Sequence, residues 1–526
     1  MRLLKLNTAG AARPRAAWRR ALASAAFAFL FAFACVLPAS PIGSTAGAPE
    51  AGQNPAPQAT PPPPAAPRPV TVPRPVERTL RNGLRVIVVE RHDMPLVSAQ
   101  LAVRNGGEVD PAQLSGLADL TAELLTKGTK TRTAPQVAQQ IEALGATLES
   151  GAGWDASRVS VNVMSSKVEP ALRIVADVVR NPVFQDEEIE RQRQLYLDNL
   201  SVAMNDPGRL ASFVAARVVF GDAPYGHPVS GTPESLPRIR REDIAALHAR
   251  YYRPDNAQLV VGGAIKAAEA FRLAERLFGD WPRPSAPLEN AGGGPGKRMT
   301  TDVVRRVVVV DMPGAGQAAV ALARPGIRRT DPDYYKGLVT NSVLSGYSGR
   351  LNQEIRIKRG LSYGARSALE ARRETGPFVA TTQTKNESGA EVASLLVGEL
   401  RKLTETPVEA VELTPRQAVL VGGFGRALET TDGLVAQVAS LALYGLDLGE
   451  LNGYVNRVQA VTPADIRGFV GSRLDPSGAS IVVVGDARQF LDALRKEFGE
   501  VEVIPAAQLD LNTGRLRKAA EGDAKK

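Results

Sequence analysis

Two carboxylates four residues apart, Asp119 and Glu123, fall on one face of an expected helix, with Ala122 beside them. Such a pair could begin a metal site. A hard cation such as calcium takes about six to eight oxygen ligands, however, far more than two carboxylates offer. A catalytic zinc takes neutral imidazoles plus a carboxylate around an open position. The chain has three histidines, His92, His227 and His248, and no two lie within four residues of each other. Neither H-x-x-E-H nor H-E-x-x-H therefore occurs. On the residues alone, Asp119 and Glu123 read as a solvated or salt-bridged acidic helix face. A second pair, Arg356 and Tyr363, stands seven residues apart across Gly360. A guanidinium fork and a phenol are suitable donors to a developing oxyanion. Spacing alone makes them a surface arginine and a core tyrosine.

The elements that must position these residues follow from pattern. An Asn82-Gly83 turn leads into a strand at 85–90, followed by a strand at 97–103. Helices are expected at 114–125, 134–144, 169–179, 186–204 and 242–250, a strand pair within 147–164, and a buried strand at 257–261. Further on, a helix at 351–359 should stop at Gly360 in its C′ position, with a strand starting at Tyr363. Reversal at Gly360 would bring Arg356 and Tyr363 to one place.

The chain also repeats itself. Asp110-Pro111, with four residues between it and Gly116-Leu117, recurs as Asp331-Pro332 ahead of Gly337-Leu338, an offset of 221. Asp243-Ile244, Pro254, Ala257, Val260-Val261 and Gly263 recur as Asp465-Ile466, Pro476, Ala479, Val482-Val483 and Gly485, an offset of 222. The fold class expected is α+β: two copies of one unit of roughly 200 residues joined by a Gly-rich link.

The stretch from Gly116 to Thr129 resembles the active-site helix of insulinase (pitrilysin) family zinc peptidases, which reads roughly G-L-A-H-F-L-E-H-M-L-F-K-G-T. Gly116-Leu117-Ala118 and Lys127-Gly128-Thr129 match its flanks. The H-x-x-E-H core stands here as Asp119-Leu120-Thr121-Ala122-Glu123. Asn199, 76 residues beyond Glu123, occupies the place of the family's third ligand, a glutamate. All four positions, Asp119, Ala122, Glu123 and Asn199, are changed. Tyr225-Gly226-His227-Pro228, Tyr252-Arg253-Pro254-Asp255-Asn256-Ala257 and Phe278-Gly279-Asp280-Trp281-Pro282 extend the resemblance, which covers about 76–505. It implies two halves, each an antiparallel sheet backed by helices. It also implies that Arg356 and Tyr363 bind the substrate backbone opposite a zinc that another chain supplies. Some family members divide labour in this way, as heterodimers. The expectation is a noncatalytic subunit with no cofactor of its own, which binds peptide and completes the cleft of a zinc-bearing homologous partner. The alternative is a non-peptidase scaffold or core subunit of a membrane-associated complex. His227 is expected in a loop near the cleft wall. Ser345 to Gly349 is expected to be a plain connection beside the pair.

Composition bounds the remaining classes. The 526 residues suggest more than one domain. The net charge of +9 is concentrated at the start. Eight of 64 basic residues but one of 55 acidic residues lie within 1–75, leaving 56 against 54, or +2, for 76–526. Nothing in that balance points to nucleic acid. Arg13 to Arg20 followed by the apolar run 21–37 reads as an export signal or membrane anchor at 1–40. Cys35, the only cysteine, follows Ala32-Phe33-Ala34 and is a candidate lipidation site. The expected location is exported and periplasmic. A Pro/Ala-rich linker at 41–75, halves at 76–288 and 303–505, a link at 289–302 and a polar tail at 506–526 complete the plan.

Overall fold

Val307–Asp311 reads Val-Val-Val-Val-Asp, and Ala257–Gly263 is buried along its whole length. Strands apolar or buried at nearly every position need a covered layer on each face. The computed structural model, which describes residues 71–288 and 304–519, supplies both layers. The leader, Cys35 and the Gly-rich link lie outside the described residues. No helix among the described residues is long and apolar enough to cross a membrane.

The first half runs β1 (Val76–Thr79), β2 (Arg85–Glu90), β3 (Leu96–Val103), α1 (Leu117–Leu124), α2 (Ala134–Ala143), β4 (Thr147–Ala152), β5 (Ser157–Met164), α3 (Val168–Arg180), α4 (Asp186–Met204), α5 (Pro207–Phe220), α6 (Arg241–Tyr251), β6 (Ala257–Gly263) and α7 (Ala267–Phe278). The second runs β7 (Val307–Asp311), β8 (Ala318–Pro325), α8 (Tyr334–Leu344), α9 (Arg350–Asn352), β9 (Ala365–Leu369), β10 (Pro377–Thr384), α10 (Gly389–Glu405), α11 (Ala410–Glu429), α12 (Thr431–Leu443), α13 (Glu450–Gln459), α14 (Pro463–Arg473), β11 (Ser480–Gly485), α15 (Leu491–Phe498) and β12 (Glu502–Pro505). The sheets are ordered β1-β2-β6-β3-β5-β4 and β12-β7-β11-β8-β10-β9. Each half is thus a six-stranded sheet backed by helices, as the resemblance implied. The sheets are mixed rather than antiparallel: β2 pairs with β6 in parallel, and β7 with β11 and β12 in parallel. The partners in these pairs are separated by long helical crossovers, which deliver a strand in the same direction as the one it joins.

The two faces of each sheet belong to different layers. In β2, Val86 and Val88 pack on helices of the first half, while Ile87 and Val89 pack on α12 of the second. In β7, Val307 and Val309 face their own helices, while Val308 and Val310 face α5 of the first half. Period-two alternation therefore splits inner strands such as β2 and β7 between their own half and the other, and the halves exchange equivalent helices. Small residues permit the close approach. β8 presents Ala319, Ala321 and Ala323 to α5, and a Cβ on Gly262 would lie 2.6 Å from Val435 on α12.

Two boundaries differ from expectation. Val72, placed in the linker, is buried, and its backbone exchanges hydrogen bonds with Asn452 (2.9 and 3.2 Å). The expected polar tail carries Leu509, Leu511 and Leu516, which are buried against α5. Arg217 Nε donates to Leu511 O at 2.6 Å. Three leucines spaced among polar residues suffice to dock a segment that composition marks as a tail.

A buried polar seam joins the halves. The Arg373 guanidinium donates to Glu108 Oε1 (3.2 Å), Arg104 O (2.9 Å) and Asp155 O (2.8 Å). Asp155 also accepts from Arg373 N (2.8 Å), Tyr444 Oη (3.1 Å) and Tyr225 Oη. Burial pushes the Glu108 carboxyl up to about 7, against the pull of Arg373.

Candidate functional site

α1 begins where Asp110 accepts the backbone N–H groups of Gly116 and Ala118, each at 2.8 Å. It buries Leu117, Leu120 and Leu124, leaving Asp119 and Glu123 half-buried toward α4 and β4. Asp119 is fully engaged there. Its Oδ1 accepts from Ala152 N of β4 at 3.0 Å, and its Oδ2 accepts from Tyr196 Oη of α4 at 3.0 Å. The expected solvated or salt-bridged face is therefore hydrogen-bonded at Asp119 and unpartnered at Glu123, with no ion pair to either carboxylate among the described residues. Burial raises the Asp119 carboxyl despite both donors, and burial together with the Asp119 charge raises Glu123. The Tyr196 phenol is pushed far up, chiefly by burial. Ala122 is buried and carries no base, while Asn199 is exposed on α4. With both oxygens of Asp119 spoken for and no imidazole at hand, these residues do not fit a zinc ion. No group of three or more His, Cys, Asp or Glu among the described residues is arranged to hold a metal. His227 is a buried packing residue rather than a cleft-wall group. Its nitrogens lie 3.0 Å from Pro228 O and Gly107 O, and burial lowers its pKa. His248, bonded to Val179 O at 2.8 Å, serves the packing of α6.

Arg356 and Tyr363 do come to one place. The helix begun at Arg350 widens into a π-turn over Gln353–Lys358. Gly360 ends it at φ +65°, and Leu361 N reaches back to Ile355 O at 2.9 Å. That closure spans one residue more than an ordinary Schellman turn, as π geometry requires. The strand then starts at Ala365 rather than Tyr363, and Tyr363 is 90% exposed in the preceding loop, not in the core. The loop is stitched to β10. Thr382 Oγ1 bonds to Ser362 Oγ (2.7 Å) and Gly364 O (2.9 Å), and Thr384 Oγ1 donates to Leu361 O (2.6 Å). Arg356 and Tyr363 both line a cavity of about 780 Å³. Ser345, Gly346 and Tyr347 line it too, so the expected plain connection forms part of a wall. Tyr347 is 72% exposed, and the Arg356 guanidinium sits over its ring, 5.4 Å from the centroid.

The opposite wall comes from the first half. Arg209 and Ser212, on the exchanged helix α5, line this cavity and also a neighbouring one of about 420 Å³ that contains Asp119, Tyr196 and Asn199. The degenerate metal position and the Arg356/Tyr363 pair thus lie on either side of one helix. Tyr196 could have been found from sequence, since it sits three residues before Asn199 on the same helix. Arg209 could not, because nothing local shows that α5 crosses to the other sheet.

Residues 85–230 match the insulinase family (peptidase family M16), and residues 238–419 match the peptidase M16 inactive domain. Among curated relatives, an uncharacterized zinc protease of Streptomyces coelicolor is 25% identical over 394 residues, 74% of this chain and 85% of that protein. One of Mycobacterium leprae is 27% identical over 390 residues, 73% of this chain and 85% of that protein. Among solved structures, a peptidase M16 inactive domain from Pseudomonas fluorescens superposes with a TM-score of 0.72 at 26% identity. It covers 78% of this chain and 98% of that one. A protease from Helicobacter pylori shares the fold, with a TM-score of 0.74 at 19% identity over 79% of this chain and 100% of that one. Sequence matches that together run from 85 to 419 and two sheets of matching architecture lead to one statement: the chain is an insulinase-family (M16) peptidase homologue.

Proposed function

We propose that this chain is a noncatalytic subunit of an exported zinc peptidase. It holds peptide substrate with Arg356 and Tyr363 and completes the cleft of a zinc-bearing homologous partner. One contrast carries the reading. Asp119 at the former metal position is bonded to Tyr196 and Ala152 N, whereas Arg356 and Tyr363 face an open cavity without a hydrogen-bond partner among the described residues. A guanidinium desolvated only by a ring and a phenol held in a braced loop are ready donors to peptide carbonyls. Ala122 leaves α1 without a general base at that position, so the attacking water belongs to the partner. The leader is the support for export.

The test is peptide hydrolysis by the chain alone, by the zinc-bearing homologue from the same cell alone, and by the mixture, with zinc content determined in each. Hydrolysis only in the mixture, with zinc only in the partner, is the expected result. Turnover by this chain alone would overturn the proposal. An inactive mixture would favour the scaffold reading.

A further inference from the structure

The cavity that holds Arg356 and Tyr363 is more cationic than peptide-backbone binding requires. Three arginines from separate elements line it: Arg209 from the first turn of α5, Arg356 from the π-turn, and Arg366 from β9. Their neighbours outside the cavity are paired. Arg350 grips Glu412 at 2.7 and 2.8 Å, while Lys358 and Arg359 hold Glu354 at 3.2 and 3.0 Å. Arg209, Arg356 and Arg366 have no carboxylate within ion-pair distance among the described residues. The lining contains one acid, Asp206, and its Oδ1 is already engaged in capping α5 through Arg209 N at 2.7 Å. This local excess is invisible in composition, because 76–526 carries a net charge of only +2.

We infer that this cavity selects peptide segments bearing acidic side chains, with Arg209 and Arg366 receiving Asp or Glu carboxylates on either side of the backbone held by Arg356 and Tyr363. The inference rests on the peptide-binding reading and deepens it. Arginine forks suit carboxylates geometrically. Gln317 and Gln383 in the same lining supply amide donors and acceptors of the kind an extended backbone uses. A polyanion such as nucleic acid needs a broad positive field, which a nearly neutral globular part does not provide.

The experiment is fluorescence anisotropy on the full chain with three labelled decapeptides blocked at both ends: one rich in Glu and Asp, its Gln and Asn counterpart, and a Lys counterpart. A single-stranded oligonucleotide of equal charge to the acidic peptide is the fourth probe. At 0.15 M salt the acidic peptide should bind about tenfold more tightly than the neutral one, the sum of two partly exposed ion pairs. That preference should largely vanish at 1 M salt, where screening acts within about 3 Å. Arg209→Gln and Arg366→Gln should each remove about threefold of the preference and leave the neutral peptide's affinity unchanged. Both side chains are exposed, so the variants should fold, which circular dichroism checks. Equal affinity for acidic and neutral peptides, still lost in Arg356→Ala, overturns the acidic selection while sparing peptide binding. Binding of no peptide overturns both. An oligonucleotide that binds as tightly as the acidic peptide shows a general anion patch and also overturns the selection.

Discussion

The two halves share a strand order, a repeat and a pair of exchanged helices, yet the polar sites they contribute, at α1 and at the π-turn, are opposite in kind. At α1 Asp119 faces inward and is tied down at both oxygens, by Tyr196 and Ala152 N. At the π-turn the polar groups face outward, and the hydrogen bonds go instead into bracing the loop behind them. Satisfied buried polar groups stabilise a fold, and unpartnered exposed ones contribute almost nothing to it. The difference teaches that Asp119 is bonded into the framework, whereas the second site presents donors that no group among the described residues uses. The sheet edges differ as well. The first half ends in β1, antiparallel to β2, and the second in β12, parallel to β7, because one edge strand arrives from before its sheet and the other from after it.

The largest effect should come from the exchange itself. Val438 lies in the second half of the chain but packs on the first sheet, and Val214 does the reverse. Val438→Asp or Val214→Asp should each cost at least about 4 kcal/mol, since each buries an unpaired charge. Both tryptophans among the described residues, Trp154 and Trp281, lie in the first half. If Val438→Asp leaves the denaturant transition seen by tryptophan fluorescence unmoved, the halves are independent and the interlock is wrong.

Next comes the seam. Glu108 is raised to about 7 in the fold against 4.5 unfolded, so between those values the native state keeps a proton that the unfolded chain releases. Its contribution is fully present below about 4.5 and is lost as pH rises through about 7, a change of up to about 3 kcal/mol. Glu108→Gln should flatten that fall, as measured by urea unfolding at a series of pH values. An unchanged slope would assign the pH dependence to other groups.

The contrast between the two sites sharpens with smaller changes. Asp119→Ala strands the Tyr196 hydroxyl and the Ala152 N–H and should cost about 2 kcal/mol, and Tyr196→Phe about 1 kcal/mol, by chemical denaturation. Arg356→Ala and Tyr363→Phe should stay within about 0.5 kcal/mol of the parent, since neither side chain is hydrogen-bonded or fully buried, while lowering hydrolysis by the mixed complex. Should the second pair destabilise as much as the first, the division into framework and ligand site collapses.

Much of this was legible in the chain. The repeat offsets of 221 and 222 required two like units, and α4 falls on 186–204 as its pattern indicates. Gly360 marked the end of a helix because a left-handed residue costs glycine least, and its φ of +65° agrees. Asp119, Ala122 and Glu123 were visible as a zinc motif without its ligands, because ligand identity is a property of residue type. Local pattern fixes what each segment is and which chemistry its side chains can perform. It says nothing of which segment covers which sheet. That α5 and α12 change places, that Arg209 stands opposite Arg356, that Tyr196 closes on Asp119 and that Leu509 to Leu516 dock as a clasp were all decided by tertiary packing. These contacts join residues tens to hundreds of positions apart. They depend on burying two faces of each sheet at once, a demand no single stretch of sequence can meet or reveal.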